Sequence, residues 1–265
     1  MIKNQNFGNF LKNIIKKVFL LIGRTSNDSF VVVYHEVSPL QALGITPEKL
    51  EKQIKYWIDK GYAFSTEAKE LKKPKNIILT FDDVFDSFEE YVLPILKKQG
   101  VPAIIFPPTE YLGKKFTDGI SYEASQKKKI ISSESLKRIY SSGLIKIGCH
   151  THTHPILTEK DEQTVKEEIK KSAIIIKSIA RDRCDYFCYP KGKTNLKVTT
   201  IVKNSGFKNA FTTEQRTFDK NKDLFNIPRF DGMQFLDSLS LKLSTRTTIN
   251  AYFELFVKKF GKNHD

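Results

Sequence analysis

Cysteine and histidine are scarce in this 265-residue chain, which has three of the first and five of the second. The three cysteines, Cys149, Cys184 and Cys188, are sparse and odd in number, so they do not form a disulfide framework. Long hydrophobic runs are also missing, since none approaches the ~20 apolar residues that a membrane-spanning helix needs. No internal repeat or low-complexity tract is found. What the chain does have is 40% hydrophobic residues, including 20 Phe, enough for a sizeable core.

Acidic residues are fewer than basic ones, 30 against 44, so the net charge is +14. A surface of this sign attracts phosphates, acidic lipids and acidic polymers. The lysines are spread over the whole length, however, and many fall on helix faces, which is typical of a solvated surface. Because no nucleic-acid-binding motif accompanies the charge, the sequence predicts no nucleic-acid partner.

Residues 1–28 predict a basic amphipathic helix followed by a linker. Apolar residues recur at intervals of three and four between residues 7 and 22, while Lys16 and Lys17 interrupt the run that a secretory signal would need. Two interpretations stay open: peripheral contact of residues 7–22 with an anionic membrane, or packing of this helix against its own domain. We expect a cytoplasmic protein, associated with the inner face of the membrane in the first case. An uncleaved signal would instead make it periplasmic.

Apolar runs of strand length alternate with helical patterns over the rest of the chain. One predicted helix has Thr46 as cap, Pro47 at its first position and an apolar face of Leu50, Ile54, Trp57 and Ile58, and a long helix is predicted from Thr158. Strands that are apolar on both faces and alternate with helices imply a parallel sheet. The length suits one α/β domain, a closed or nearly closed distorted (β/α)7 barrel over residues 29–240. Residues 241–265 are predicted as a C-terminal helical extension. The seven predicted strands are 30–34, 76–81, 103–106, 145–149, 186–189, 207–212 and 226–230.

Two adjacent carboxylates come directly after one of these strands, in Thr80-Phe81-Asp82-Asp83. Successive side chains of a strand point opposite ways, but a turning chain at the strand end lets both reach one site. One carboxylate can then bind a metal ion while the other accepts a proton. Two aspartates alone are also typical of a turn or a cap before a helix, here the one predicted over 85–99.

Three of the five histidines lie together in His150-Thr151-His152-Thr153-His154. His150 and His154 are four residues apart and can chelate one ion if the segment makes a single turn, with His152 facing away. One carboxylate and two imidazoles leave a position open, as a catalytic zinc requires, and the same set suits non-haem Fe(II). An exposed histidine-rich loop is the alternative, but the preceding strand and Pro155 argue against it.

At these residues the chain resembles the polysaccharide deacetylase family, the NodB-homology esterases of carbohydrate esterase family four. Residues 80–83 are similar to the family's T-F-D-D motif, which implies Asp82 as general base and Asp83 as metal ligand. Residues 150–155 resemble H-[ST]-x-x-H, which implies His150 and His154 as further ligands. Residues 187–192 resemble R-x-P-x-G, which implies a groove wall with an oxyanion-binding N–H at Lys191. The residues assigned to this groove are Tyr189, Pro190, Lys191, Gly192 and Arg229.

Three departures from the family pattern stand out. Val84 replaces the usual glycine, Cys188 replaces the arginine that orients the base, and no late Leu-x-x-His motif is present. One branch, similar to the poly-N-acetylglucosamine deacetylases of biofilms, supplies a histidine after the first strand instead. Residues 34–37 and 227–229 resemble that branch and imply His35 as the general acid. A histidine that is merely hydrogen-bonded near the strand end is the alternative.

The resemblance implies metal-dependent hydrolytic N-deacetylation of an N-acetylated sugar or oligo- or polysaccharide, in making or modifying a surface glycan. One divalent ion is expected, Zn²⁺ before Fe²⁺, Co²⁺ or Ni²⁺. A catalytically impaired carbohydrate-binding protein on the same fold is the alternative. An amidohydrolase barrel would need more histidines after His154 than His264, and an Fe(II) oxygenase normally has a β-sandwich.

Overall fold

The computed structural model describes residues 27–39, 44–116, 128–181, 183–219 and 223–235. The predicted N-terminal helix, its membrane contact through residues 7–22 and the predicted extension over 241–265 all lie outside these ranges. Asp28–Leu236 form one compact unit. Within the described ranges no helix has the length and apolar character needed to cross a bilayer.

Ten strands and five α-helices alternate along the described chain. The strands are β1 (Phe30–Tyr34), β2 (Glu36–Val37), β3 (Gly44–Ile45), β4 (Ala63–Phe64), β5 (Asn76–Asp82), β6 (Ala103–Phe106), β7 (Ile145–Ile147), β8 (Tyr186–Cys188), β9 (Asn209–Phe211) and β10 (Phe230–Asp231). The helices are α1 (Pro47–Asp59), α2 (Leu93–Gln99), α3 (Ser133–Tyr140), α4 (Glu162–Ile179) and α5 (Leu196–Asn204).

Seven of these strands form a ring of parallel neighbours. The main sheet has the order β10-β1-β5-β6-β7, and β8 pairs with β9. Cys149, just after β7, bridges to Phe187 of β8, and Phe211 of β9 bridges to Ile227, just before β10. These two bridges close the sheet on itself, so the predicted distorted (β/α)7 barrel is confirmed, and all seven predicted strands take part in it. The short strands β2, β3 and β4 were not predicted.

The barrel interior is filled by side chains that alternate inward along the strands. One buried cluster joins Val31 of β1, Ile78 of β5, Ile104 of β6 and Ile227. Because the interior is packed, functional side chains of such barrels lie at the rim where the strands have their carboxyl ends.

Local signals place the helices around the ring. Thr46 caps α1 by accepting a hydrogen bond from Lys49 N at 3.3 Å, and Pro47 fills the first position, as predicted. Ile58 was predicted on the buried face of this helix, but it is 39% exposed because the face turns inward only through Leu50, Ile54 and Trp57.

Two predicted helices have different beginnings in the structure. The helix predicted over 85–99 is a π-helical turn, Phe88–Val92, followed by α2. Pro94 has no N–H to donate and crowds the preceding turn, so the wider π turn fits there. The helix predicted from Thr158 begins at Glu162, because the Asp161 carboxylate caps it by accepting from Thr164 N at 2.9 Å.

Candidate active site

The sequence motifs meet at the end of the barrel where the parallel strands have their carboxyl termini. Asp82 is the last residue of β5, His150 follows β7 and its bridge, and Tyr189 follows β8. The backbone is strained at this rim. Five of the seven non-glycine residues with positive φ in the described part of the chain belong to the three motif segments: Asp83, Val84, Thr151, His154 and Lys191. Such strain persists where surrounding contacts hold the chain, and it clusters at functional sites.

Asp82 is held by a fully buried arginine from the far end of the chain. Arg229 Nη1 donates to Asp82 Oδ1 at 2.8 Å and Nη2 donates to Oδ2 at 2.7 Å. The same guanidinium is anchored by Thr212 O, which accepts from Nε at 2.8 Å, and by Thr80 Oγ1 at 3.1 Å. A two-bond pair of this geometry fixes both the position and the plane of the carboxylate.

This contact corrects the assignment of Arg229 to the substrate groove. Its side chain is fully buried, so it cannot line an open groove. It takes the orienting role that the family pattern gives to the arginine of the third motif, where this chain has Cys188. The Cys188 thiol completes the arrangement, with its sulfur 3.3 Å from Asp82 Oδ2 and 3.1 Å from Arg229 Nη2.

The Asp82 carboxyl is ionised at any working pH. Burial alone would raise its pKa, but the charge and hydrogen bonds of Arg229 hold the pKa well below its usual range. Asp82 also lies with His150 and Cys188 in a group that could take a metal. The Arg229 cation occupies the space beside that group and repels a second ion, so we assign no metal to it.

Asp83, His150 and His154 converge on one point. The two histidine Nε2 atoms are 3.2 Å apart, and Asp83 Oδ1 lies 3.9 Å from His150 Nε2 and 3.7 Å from His154 Nε2. His150 Nδ1 donates to the Cys188 carbonyl at 2.9 Å, which leaves the lone pair on Nε2. Burial, with the charge of His154, lowers the pKa of His150 to about 4, so this imidazole is neutral at pH 7.

These three side chains fit a divalent metal ion. Tetrahedral ligands at zinc–nitrogen distances lie roughly 3.3 Å from one another, close to the separation of the two Nε2 atoms. Asp83 Oδ1 is buried and has no hydrogen-bond partner among the described residues. A buried carboxylate oxygen left without a donor is costly, and a cation beside it removes that cost.

Glu168 of α4 supports the histidine segment from below. Its Oε2 accepts from His152 N at 2.9 Å and from Thr153 N at 2.8 Å, and Oε1 accepts from Thr153 Oγ1 at 2.8 Å. Thr151 Oγ1 closes the same turn by accepting from His154 N at 3.1 Å. Sequence reasoning missed Glu168, because a glutamate on an amphipathic helix gives no signal that it points to a loop.

We expect Glu168→Gln to weaken metal binding by about tenfold or more, since outer supports of metal ligands typically carry that much. The amide oxygen can still accept from both backbone N–H groups at the place of Oε2, but without the charge that strengthens those bonds. The amide NH₂ takes the place of the oxygen that accepts from Thr153 Oγ1. Metal titration by calorimetry measures the effect. Glu167→Gln, at an exposed neighbouring position, is the control, and equal affinities of the two variants would contradict the supporting role.

The third motif forms a short 3-10 turn, Pro190–Gly192, at the rim. Tyr189 is buried, and its hydroxyl donates to Phe225 O at 3.0 Å. Lys191 has φ +56° and is exposed, while Gly192 has φ +67°. A Cβ on Gly192 would lie 2.5 Å from Thr213 N, so only glycine fits this close approach. The segment therefore follows directly after Cys188, whose thiol contacts Asp82 and Arg229. Lys191 is its most exposed residue.

The other two predicted positions lie at the edges of the site. His35 follows β1 and is exposed, and it contributes to the lowered pKa of Asp82. His152 points away from the Asp83 group, as the single-turn geometry requires. Its Nδ1 lies 3.0 Å from Thr109 Oγ1 and its Nε2 lies 3.1 Å from Glu110 Oε2, which ties the histidine segment to the turn after β6.

Comparison with known proteins identifies the family. The family model described as polysaccharide deacetylase matches residues 69–210, more than half of the chain. The chain belongs to the polysaccharide deacetylase family. The matched residues contain Asp82, Asp83, His150, His154 and the third motif, so the deacetylase match covers the residues that meet at the rim. This membership supports a hydrolase that acts on an N-acetylated carbohydrate.

A curated relative agrees with this family assignment, and solved structures share the fold. A poly-beta-1,6-N-acetyl-D-glucosamine N-deacetylase of Staphylococcus aureus (strain MSSA476) is 26% identical over 218 residues, covering 76% of this chain and 72% of that protein. IcaB from Ammonifex degensii superposes with a TM-score of 0.65 at 24% identity, over 77% of this chain and 91% of that one. The Streptococcus pyogenes deacetylase PplD in complex with acetate gives a TM-score of 0.65 at 22% identity, over 78% and 93%. The two superpositions show the shared fold.

Proposed function

We propose that this protein removes acetyl groups from an N-acetylated polysaccharide by metal-dependent hydrolysis. The observation that carries the proposal is the division of labour between two adjacent carboxylates. Asp83 points to the two histidine Nε2 atoms, while Asp82 is turned to Arg229 and Cys188 and is kept ionised. One carboxylate thus stays ionised outside the ligand site, where it can accept a proton, while the other faces that site.

Asp83, His150 and His154 would hold the ion. A divalent ion supplies Lewis-acid polarisation of the amide carbonyl and makes water more acidic. Asp82, oriented by Arg229, takes the proton from the attacking water. An N–H of the third motif, assigned to Lys191, stabilises the oxyanion. His35 donates a proton to the departing sugar amine, so acetate and a free amine are the products. Zn²⁺ is the proposed ion, with Fe²⁺, Co²⁺ and Ni²⁺ as alternatives.

The substrate class follows from the relatives. Since the Staphylococcus aureus relative is named for poly-beta-1,6-N-acetyl-D-glucosamine, we propose a polymer of N-acetylglucosamine, in making or modifying a surface glycan. The positive net charge does not oppose this, because the acetylated polymer is neutral. Lys191 and Gly192 are the proposed groove wall, because Tyr189 and Pro190 are buried as Arg229 is.

A substrate panel with acetate detection tests the function. The full chain is assayed with N-acetylglucosamine oligomers of several linkages, before and after chelation and after readdition of Zn²⁺. We expect acetate release that is lost on chelation and restored by the ion. Asp83→Asn should lose both the ion and the activity, whereas Asp86→Asn, at an exposed position three residues on, should keep both.

The alternative is a carbohydrate-binding protein on the same fold that has lost catalysis. Its main support in the sequence was the missing arginine of the third motif. Arg229, directly before β10, supplies that guanidinium, which favours an enzyme. Oligosaccharide binding without acetate release from any substrate, in protein that contains its metal, would decide for the alternative.

The cellular location stays a prediction. We propose a cytoplasmic protein at the inner face of the membrane, or a periplasmic one if the N-terminus is an uncleaved signal. Cell fractionation followed by assay of the soluble and membrane fractions separates these locations.

A further inference from the structure

Two helical stripes on the outside of the barrel line one surface groove. One stripe runs along α4 and the other along α5, and together they line a surface groove of about 930 Å³. We call this surface the α4–α5 face and define it by Lys166, Lys170, Ile174, Lys177, Leu196 and Lys197. Nothing in the proposed deacetylation uses these residues.

The face has a strong positive charge. Four lysines line it, and the single acid among the lining residues is Glu162, which is already paired with Lys166 at 2.6 Å. Glu162 also interacts electrostatically with Lys197, so the four lysines share one acidic residue among those that line the groove. The α1 surface differs, because its three lysines are interleaved with Glu48, Glu51 and Asp59. The overall excess of lysine therefore does not by itself explain the α4–α5 face.

The face also has two large apolar side chains that stand out into solvent. Leu196 is 84% exposed and Ile174 is 58% exposed, whereas Ile58 and Met233, the other exposed large hydrophobic residues of the described ranges, are both 39%. Ile174 lies four residues after Lys170 and three before Lys177, so the three share one side of α4. Leu196 is directly followed by Lys197. Each apolar side chain is thus flanked by lysines.

We propose that the α4–α5 face docks the protein on an anionic phospholipid surface. Projecting apolar side chains flanked by lysines match a bilayer interface, where the apolar groups enter the acyl boundary and the ammonium groups meet acidic headgroups. An acidic protein would also complement the charge. We favour lipid because two isolated apolar side chains project from the face, and a bilayer interface can take up such side chains without a matching pocket. Leu196 begins α5 four residues after Gly192, so docking would bring the third-motif rim close to the lipid surface.

Charge removal on the full chain tests the electrostatic half of the proposal. Vesicles of phosphatidylcholine with about a third phosphatidylglycerol are sedimented with the wild type and two triple variants. Lys170→Gln, Lys177→Gln and Lys197→Gln together should lower partitioning by roughly a hundredfold, about fivefold for each lysine near the surface. Lys49→Gln, Lys52→Gln and Lys55→Gln on α1 change the net charge equally and should have little effect. Any contribution of residues 7–22 is the same in both variants.

A fluorescent probe tests insertion at the apolar positions. Cys149, Cys184 and Cys188 are all buried, so a new surface cysteine can be labelled selectively. An environment-sensitive fluorophore on Leu196→Cys should shift to the blue when anionic vesicles are added and not with pure phosphatidylcholine. The same label on Ile58→Cys is the control and should not respond.

Several outcomes would overturn the proposal. Equal loss of partitioning in the two triple variants would mean that net charge alone drives binding, and no loss in either would place the contact elsewhere. A Leu196→Cys label that is blue-shifted without vesicles and insensitive to them would mean that protein already covers the face. If ultracentrifugation then showed a dimer that Leu196→Ser dissolves, the occupant would be a second copy of the chain. These measurements do not depend on enzymatic activity, so their outcome is independent of the deacetylase assignment.

Discussion

Asp82→Asn should lower acetate release by on the order of 10³-fold while the protein keeps its metal. A positioned general base is typically worth 10² to 10⁴ in rate, and an amide has no proton affinity with which to replace it. Metal should be retained because the three converging ligand atoms belong to Asp83, His150 and His154. Kinetic assay and metal analysis of the same purified sample measure both quantities.

Two further variants make this result specific. Asp83→Asn should lose metal and activity together, and Asp86→Asn should lose neither, which separates the two neighbouring roles from a general effect of removing a carboxylate here. Asp82→Asn protein that contained its ion and turned over at the wild-type rate would remove Asp82 as the base. The fold of the variant is checked by its unfolding midpoint, because the substitution also leaves Arg229 without its counter-ion.

Arg229→Met should lower the free energy of unfolding by about 3–5 kcal/mol, as expected when one partner of a buried ion pair is removed. The loss arises because the Asp82 carboxylate stays buried without its two charge-assisted hydrogen bonds. The double variant Asp82→Asn with Arg229→Met should cost at least about 2 kcal/mol less than the sum of the two single variants. Denaturant unfolding of all four proteins gives this coupling. Activity should stay low in the double variant, because it recovers part of the lost stability but still lacks the Asp82 carboxylate.

A surface arginine provides the control for this cycle. Arg216 pairs with Glu214 at 2.7 Å, but both side chains are in contact with solvent. Arg216→Met should change stability by less than about 1 kcal/mol, because exposed ion pairs contribute little. A cost for Arg229→Met as small as this would contradict the buried clamp.

The stability from the clamp should depend on pH in a defined direction. The pKa of Asp82 is lower in the folded protein than in the unfolded chain. The contribution is therefore fully present above the unfolded-chain value of about 3.9 and is lost as the pH falls through the folded value. In Arg229→Met, burial without the guanidinium raises the pKa of Asp82, so the variant is relieved of part of its cost once this carboxyl takes up a proton. The difference in unfolding free energy between wild type and Arg229→Met should therefore shrink on acidification, starting at the raised pKa of the variant and continuing below about pH 4.

Much of the site could be predicted because its residues follow strands whose apolar pattern is easy to recognise. A parallel barrel brings the ends of such strands together, so Asp82, Asp83, His150 and His154 could be placed at one rim from their positions alone. Their closeness in the structure agrees with that reasoning. Their chemical roles stay predictions until the variants are measured.

The supporting contacts could not be predicted for a different reason. Arg229 and Glu168 act across 147 and about 15 residues, respectively, and only the closed ring shows that their side chains point inward or toward a loop. Short strands such as β2 and β3 have two residues each, too few for a periodic pattern. The π turn before α2 could not be predicted either, because Pro94 alone does not tell how the preceding turn adjusts to its missing N–H.

The origin of Arg229 has a consequence for how the protein matures. Translation delivers Asp82 and the three ligand residues well before the segment that contains Arg229. A nascent barrel without that segment has an opening where the ring should close between β9 and β1, and its Asp82 carboxylate is neither oriented nor neutralised. With Asp82 as the proposed base, completion of the ring and the start of catalysis are one event, so we expect a partly synthesised chain to be inactive before its final segment docks.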